Sequence, residues 1–333
     1  MPQLLVAVSD SVFPNLDPAR EVLSKIGAEL RVAAAATSEA ILQVAADADA
    51  TLVTYAKITA GMIDKMTRCK IISRFGIGVD NVDIAAATQA RIVVTRVPDY
   101  CIDEVSDHAI ALLLALVRKI PFANSRAHAG HWEMAAVAPI HRLRGRILGL
   151  VGFGRIPRLV TPKAQAFGLK VLTYDPYVSQ QAASEANVAK VDFAELVKTS
   201  DYISIHTPLI PETSRLFNSE VFAQMKPTSY LINTARGPIV DEEALARALD
   251  AGQLAGAALD VLSQEPPSNS PLFGRDNVIL TPHTSFYSVE SLVELQIKAA
   301  EEVVRVLSGQ MPRNPVNPEA LKERTEAELI DRH

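Results

Sequence analysis

Three apolar runs in the second half of the chain each lead into a residue able to do acid–base or anion chemistry. SYLIN (229–233) runs into Thr234-Ala235-Arg236-Gly237, GAALD (256–260) runs through VLSQEPP to Glu265, and NVILT (277–281) runs into Pro282-His283. If the runs are parallel strands, one Arg, one Glu and one His reach the same sheet edge, outside whose carboxyl ends open α/β sheets keep their chemistry. The set suits hydride transfer to and from a 2-oxo acid. Arg236 offers a planar fork to a carboxylate and a carbonyl oxygen, which a lysine matches poorly. His283 would give a proton to the carbonyl oxygen as hydride reaches carbon, and recover it in the reverse direction. Glu265 would bind that imidazole, and a carboxylate bonded to an imidazole favours its charged form. Plainer readings exist for each residue alone: a structural Arg236–Glu265 ion pair, or a histidine that caps a loop. Their joint arrival at three strand ends beside a nucleotide-type loop favours chemistry. His206 also closes an apolar run, ISIHTPL (203–209), but Pro208 behind Thr207 favours a wall of a cofactor pocket over an acid. His108, His128, His131 and His141 read as surface or packing residues.

The nucleotide-type loop is Gly152-Phe153-Gly154, set between the apolar run ILGLV (147–151) and a helical segment that opens with Arg155 and Ile156. The first glycine permits a tight turn; the second lets the backbone approach a pyrophosphate that also sees the helix N-terminus. Asp175 closes the next run, KVLTYD (170–175), where a carboxylate accepts bonds from ribose hydroxyls and so selects NAD over NADP. Pro157 stands where a third small residue usually serves helix–strand packing. It falls in the first helical turn, where the backbone N–H has no intrahelical partner to lose. Pro162, one turn further in, removes a backbone bond and threatens a kink at a cost of up to about 3 kcal/mol. Cys69 and Cys101 have no C-x-x-C spacing, so neither a metal site nor a disulfide framework is indicated.

These residues need a scaffold, and the chain supplies an alternation of short Val/Ile/Leu-rich runs with helix-like segments, the pattern of parallel sheets with crossover helices. Strands are predicted at 3–8, 29–33, 51–54, 70–74 and 91–94, and again at 147–151, 170–174, 202–205, 229–233, 256–260 and 277–280. A helix from Asp103 or Glu104 to Lys119, stopped by Pro121, reads as a spacer between the two series. A long amphipathic helix over 288–308 is expected to pack back on the first domain, ahead of a Pro-rich, charged tail read as unstructured at its end. The predicted organisation is α/β, with a discontinuous domain of residues 1–100 and 287–333 and a nucleotide domain of residues 101–286.

With 333 residues the chain is long enough for two cores. Its 48% hydrophobic and 21% charged residues, with a formal net charge of −5, leave no basic surplus for a phosphate backbone, so nucleic acid is not an expected partner. The start MPQLLVAVSD lacks a basic region before its short apolar run, and the longest apolar stretch, AIALLLALV (109–117), is flanked by charges. No membrane span is expected, and the reducing cytoplasm is the expected setting.

The residues resemble the D-isomer-specific 2-hydroxyacid dehydrogenases over nearly the whole chain. The likeness rests on RFGIGVDNVD (74–83), GLVGFGRI (149–156), YDPY (174–177), HTPL (206–209), NTARGPIVDEEAL (233–245), GAALDVLSQEPP (256–267) and TPHTSFYS (281–288). It is nearest to the branch of phosphoglycerate dehydrogenases, hydroxypyruvate reductases and C-terminal-binding-protein corepressors, the last through IDEVSDHAIALLLALVRKI (102–120). The resemblance implies a flavodoxin-like substrate domain and an NAD-binding domain, both Rossmann-like and doubly wound, with the active site in the cleft between them. It implies a homodimer formed largely through the cofactor domain and residues 104–146. It gives Arg236, Glu265 and His283 the catalytic roles above, and Gly152, Phe153, Gly154, Arg155, Ile156, Asp175, His206, Thr207, Pro208, Thr234, Ala235, Arg236, Asp260 and His283 to the cofactor. Within that set, Asp260 is assigned to the nicotinamide carboxamide. Arg74, backbone amides near Ile77 and Gly78, Arg236 and His283 go to the substrate, a small 2-oxo or 2-hydroxy acid such as hydroxypyruvate, glyoxylate or 3-phosphoglycerate. Phe286 departs from the corepressor branch, which has tryptophan there. The chain ends without the regulatory domain of long phosphoglycerate dehydrogenases, so feedback by serine is not expected. A different class is also consistent with these motifs: an NAD(H)-sensing dimeric interaction protein with incidental turnover.

Overall fold

The structure is a computed structural model that describes residues 3–321. It divides into two compact units, one ending at Tyr100 and resuming at Ser288, the other Cys101–Tyr287.

In the first unit strand and helix alternate: β1 (Leu5–Val8), α1 (Asp17–Ser24), β2 (Glu29–Val32), α2 (Ser38–Ala45), β3 (Ala50–Val53), α3 (Ala60–Ile63), β4 (Ile71–Arg74), α4 (Ile84–Gln89) and β5 (Val93–Thr95). The strands form a parallel sheet in the order β2-β1-β3-β4-β5. This is the flavodoxin-like order, whose direction reverses between β1 and β3. Strands such as LVAV and ATLV are buried at every position because helices cover both faces of such a sheet. The fifth strand starts at Val93 rather than 91, because Arg91 takes the left-handed turn (φ 58°) that closes α4.

The second unit comprises α5 (Ile102–Val117), α6 (Ile120–His128), β6 (Ile147–Val151), α7 (Arg155–Ala166), β7 (Lys170–Tyr174), α8 (Gln180–Ser184), β8 (Ala189–Lys190), α9 (Phe193–Thr199), β9 (Tyr202–Ile205), α10 (Ser219–Phe222), β10 (Tyr230–Asn233), α11 (Glu242–Asp250), β11 (Gly256–Leu259) and β12 (Val278–Leu280). Its parallel sheet runs β12-β11-β10-β9-β6-β7-β8, the doubly wound order of dinucleotide folds, reversing between β6 and β9. Two readings of the sequence change here. Helix α5 is no spacer: Ile110, Leu113, Leu116 and Val117 enter one core with Leu148, Leu150, Phe153, Val160 and Ile232. Pro121 does not stop a helix but sits in the first turn of α6, since Lys119 (φ 54°) already makes the break. Strand β8 escapes prediction because it is a two-residue edge strand, too short for any periodicity.

The chain then returns to the first unit as α12 (Val289–Leu307), opened by a capping box between Ser288 and Ser291. Its buried stripe of Leu295, Ala299 and Val303 packs beside β4, and Ser73 donates its hydroxyl to the Ala299 carbonyl at 3.0 Å. Asn317, 2% exposed, then fastens the following segment to β5 by accepting from Val94 N at 2.7 Å. The end of the chain, read from sequence as an unstructured tail, lies outside the described residues.

Both sheets close their amino ends with the same device, across the pair of strands where the order reverses. Asp49, just before β3, accepts Leu5 N at 2.9 Å while its own N donates to Leu5 O at 2.8 Å. Asp201, just before β9, accepts Ile147 N at 2.9 Å while its N donates to Ile147 O at 2.9 Å. Each carboxylate satisfies a strand-opening N–H that has no ladder partner, a costly group to leave bare. Cations neutralise them: Arg68 for Asp49, and Arg146 and Lys226, both at 3.1 Å, for Asp201. Burial pushes the Asp201 carboxyl up, but the Ile147 N–H, Lys226 and Arg146 outweigh it and hold it below the usual carboxylate range. Its stabilisation is therefore complete above the unfolded carboxylate range and is lost as pH falls through the folded value. Asp201→Asn is expected to cost about 2 kcal/mol in urea melts at pH 7, with the gap to wild type closing toward acid; equal midpoints at pH 7 would refute this role.

Candidate active site

The glycine loop is built by two close approaches. Gly152 has φ 96°, and a Cβ there would lie 2.9 Å from the His206 carbonyl oxygen, so conformation and space both demand glycine. Its N donates to Tyr174 O at 2.8 Å, and Phe153 N donates to Asp175 Oδ2 at 2.8 Å. Asp175 Oδ1 accepts from Tyr177 N at 2.8 Å, so this carboxylate at the end of β7 locks both its own turn and the glycine loop. Gly154 caps α7, and a Cβ on it would meet nothing within 4 Å; open space lies over the helix N-terminus. Arg155 and Ile156 open the helix. The Arg158 guanidinium stacks on the Phe153 ring at 4.9 Å. Pro157 is buried in the first turn at no backbone cost, and Pro162 lies on the exposed face of a helix that runs on to Ala166. Its orphaned carbonyl partner is on that wet side.

Across the reversal point, β9 delivers His206, whose N donates to Val151 O at 2.8 Å and whose Nε2 lies 2.9 Å from Ser204 Oγ. Burial pushes His206 down to about 4, so its imidazole is neutral at pH 7. Thr207 and Pro208 continue the wall. At the end of β10, Thr234 Oγ1 is buried without a hydrogen-bond partner. Asn233, wholly buried, accepts from Ala235 N at 3.0 Å and donates to Arg236 O at 2.9 Å, shaping the turn that carries Arg236. Arg236 Nη1 donates to Ala235 O at 2.7 Å.

Strands β10, β11 and β12 are adjacent and parallel, so Arg236, Glu265 and His283 emerge at one edge. Gly237 brings the first two segments together: a Cβ there would fall 2.0 Å from the Leu262 carbonyl carbon. Glu242 accepts from Ser263 N at 2.5 Å and Ser270 Oγ at 3.1 Å, and Glu265 Oε1 accepts from Leu262 N at 2.9 Å. Glu265 Oε2 then meets His283 Nδ1 at 2.6 Å. An ionised carboxylate only accepts, so Nδ1 carries the hydrogen and proton exchange with a ligand falls to Nε2. His283 holds φ 53°, a conformation unusual for a residue with a Cβ. It is maintained by Asp260, whose carbonyl accepts His283 N at 2.8 Å. The Asp260 carboxylate accepts from Thr281 Oγ1 at 2.5 Å and from Thr284 N and Ser285 N, both at 2.9 Å. The Phe286 ring stands edge-on to the imidazole at 6.0 Å.

The remaining predicted residues lie in the other unit, at the carboxyl edge of its own sheet. Arg74 ends β4, is 8% exposed, donates Nη1 to Phe75 O at 2.8 Å and lies 6.0 Å from the Tyr55 ring. Gly76 (φ 150°) makes room for it, since a Cβ there would sit 1.1 Å from Nη1. Ile77 and Gly78 follow, half-buried. Sequence reasoning missed Asp10, which follows β1 and accepts from Thr54 N, Tyr55 N and Ala56 N at 3.0, 2.6 and 3.2 Å. It shapes the loop beside Arg74. The hint was available, an acidic residue directly after a buried strand at a reversal point, as were Asn233 and Glu242 inside NTARGPIVDEEAL.

Residues 110–285 match the sequence model of the D-isomer specific 2-hydroxyacid dehydrogenase, NAD binding domain. Over 306 residues the chain is 38% identical to D-3-phosphoglycerate dehydrogenase of Methanocaldococcus jannaschii, an alignment that takes in 91% of this chain and 58% of that protein. It is 40% identical over 277 residues to glyoxylate reductase of Thermofilum pendens, covering 80% of each. Among solved structures, D-lactate dehydrogenase from Aquifex aeolicus, complexed with NAD and lactic acid, is similar with a TM-score of 0.86 at 29% identity, over 94% of this chain and 99% of that one. The chain belongs to the D-isomer specific 2-hydroxyacid dehydrogenase family, and residues 110–285 are its NAD-binding domain. It spans little more than half the length of the phosphoglycerate dehydrogenase.

The residues present fit a dinucleotide. Open space over Gly154 leaves the α7 N-terminus to a pyrophosphate, the buried Thr234 hydroxyl awaits a partner, and Asp175 is half-buried at the position for a ribose. Among the described residues no group of His, Cys, Asp or Glu could hold a metal, and no helix is long and apolar enough to cross a membrane.

The depressed His206 makes a pH prediction. Between its unfolded value near 6.5 and about 4, only the unfolded state takes the proton, so stability falls as pH drops through that window and levels off below it. His206→Asn is expected to flatten this part of the stability–pH curve in urea melts; an unchanged slope would exclude His206 as its source.

Proposed function

We propose that the protein is an NAD(H)-dependent oxidoreductase that interconverts a small 2-oxo acid and the corresponding D-2-hydroxy acid; glyoxylate, hydroxypyruvate and 3-phosphoglycerate are the first candidates. The observation that carries this reading is the 2.6 Å bond from His283 Nδ1 to Glu265 at the sheet edge where Arg236 also emerges. When bound, NADH supplies the hydride. Arg236 holds the substrate carboxylate and carbonyl oxygen in one planar grip. With Nδ1 committed to Glu265, His283 Nε2 delivers a proton to the carbonyl oxygen in reduction and takes it back in oxidation. Glu265 fixes the ring's orientation and its tautomer. The amides at Phe153 to Ile156 receive the pyrophosphate, Asp175 the ribose hydroxyls, and His206, Thr207, Pro208, Thr234 and Ala235 wall the nicotinamide side. Arg74 and the Ile77–Gly78 amides serve the substrate carboxylate.

The setting we infer is cytoplasmic, where Cys69 and Cys101, both buried and in no disulfide, stay reduced. We also infer a homodimer through residues 104–146, supported by Trp132 and Met134, which stand 90% and 88% exposed in that segment.

His283→Gln is expected to lower turnover of the best substrate by about 10² to 10⁴ while NADH still binds. Turnover near wild type removes His283 from the mechanism. Tight NADH binding with no turnover of any 2-oxo acid in a panel defeats the enzyme reading and favours an NAD(H) sensor. Trp132→Ser is expected to shift sedimentation toward monomer, and an unchanged dimer moves the interface elsewhere.

A further inference from the structure

His108 sits on α5, 173 residues before Thr281, yet its Nε2 lies 3.1 Å from Thr281 Oγ1 and 3.6 Å from Asp260 Oδ1. The Asp260 side chain is completely buried and that of His108 is 24% exposed. The proton inventory fixes the direction of each bond. Asp260, with two backbone N–H groups and a hydroxyl all pointing at it, is an ionised acceptor. The single proton of Thr281 Oγ1 goes to Asp260, so at its other contact Thr281 accepts, and His108 Nε2 donates. A chain results: His108 Nε2–H to Thr281, Thr281 O–H to Asp260, and Asp260 to the peptides on both sides of His283.

We propose that His108 is a positioning residue for His283, a role that rests on the function proposed above. The His283 backbone is left-handed at φ 53°, a strained conformation that persists only where the surroundings enforce it. The enforcement comes from Asp260 through Thr284 N, Ser285 N and its own carbonyl to His283 N. The Asp260 carboxylate keeps its third donor only while the Thr281 hydroxyl points at Oδ1. Among the described residues His108 supplies the donor that holds that hydroxyl in place. Without it the hydroxyl is free to turn, the loop loses a fixed point, and the imidazole leaves the line from Glu265 to the substrate oxygen. The consequence falls on the chemical step, because the contacts of His108 run to Thr281 and Asp260, which hold the loop that carries His283.

The test compares His108→Leu, which removes the donor, with His108→Gln, which returns an N–H at similar reach, alongside Thr281→Val and Thr281→Ser. Amide hydrogen exchange of the peptide covering 281–288 should quicken by about ten-fold in the Leu and Val variants and return to near wild type in Gln and Ser. With glyoxylate or hydroxypyruvate and NADH, kcat should fall by about ten-fold or more in Leu and Val with KM for NADH within about two-fold, and the Leu/Val double variant should lose no more than either alone. Wild-type exchange in His108→Leu overturns the proposal, as does failure of Gln to restore what Leu loses, or a loss confined to NADH affinity. If His108→Leu does not fold, the Thr281 pair decides alone: equal behaviour of Val and Ser overturns it. Loosening of the loop in a protein whose wild type reduces no 2-oxo acid would sink the proposed function and leave the positioning role intact.

Discussion

A buried carboxylate that gathers two backbone N–H groups and a hydroxyl governs the chemistry-bearing edge of the second unit. Asp260 gathers Thr281, Thr284 and Ser285 around it and, through its carbonyl, holds His283 in a left-handed conformation. An imidazole placed this way is aimed through the main chain of its own loop. The 2.6 Å bond to Glu265 then fixes the ring's rotation and its tautomer. Backbone placement followed by side-chain tuning gives the precision that the proton-donor role proposed for His283 requires.

The same logic recurs at the glycine loop and at the Arg236 turn. Asp175 bonds Phe153 N and Tyr177 N, Asn233 bonds both ends of the Arg236 turn, and Glu242 anchors the segment leading to Glu265. In each case a short polar side chain at or near a strand end ties down a neighbouring loop. The two glycines that matter most act by what they exclude. Gly152 lets the β6 turn lie against the His206 carbonyl, and Gly237 lets the Arg236 turn lie against the Leu262 peptide. Any side chain at either place would drive apart segments whose closeness defines the edge.

At the opposite ends of the strands the two units share a construction that no motif announces. Asp49 and Asp201 each close the reversal point from below, bonding the first N–H of the strand on the other side. A sheet whose order reverses parts its crossover helices at that point, leaving a crevice above and strand-opening N–H groups below. A carboxylate solves the lower problem, and the crevice above is where open α/β sheets generally take their ligands. Asp10 and Gly152 occupy corresponding places above, each following the first strand of its sheet.

Much of this was legible in the amino-acid order because local chemistry wrote it there. Continuous Val/Ile/Leu/Ala runs announced buried parallel strands, Gly-x-Gly between strand and helix announced the loop, and Glu265 and His283 could be paired once their strands were taken as neighbours. The misreadings arose where local signals were weak or ambiguous. Pro121 suits a helix stop and a helix start equally, and α5 looked like a spacer until Leu113 and Leu116 met the sheet. The network through His108 was invisible for a different reason: a histidine on an apolar helix carries no local mark of its partner, and Thr281 lies 173 residues away. The order of residues by itself determined the parallel α/β architecture and the identities of the groups that could do chemistry, because periodicity and side-chain type are properties of neighbours along the chain. Which peptide each buried carboxylate holds, and hence where each of those groups points, was decided only when packing brought distant strand ends into register.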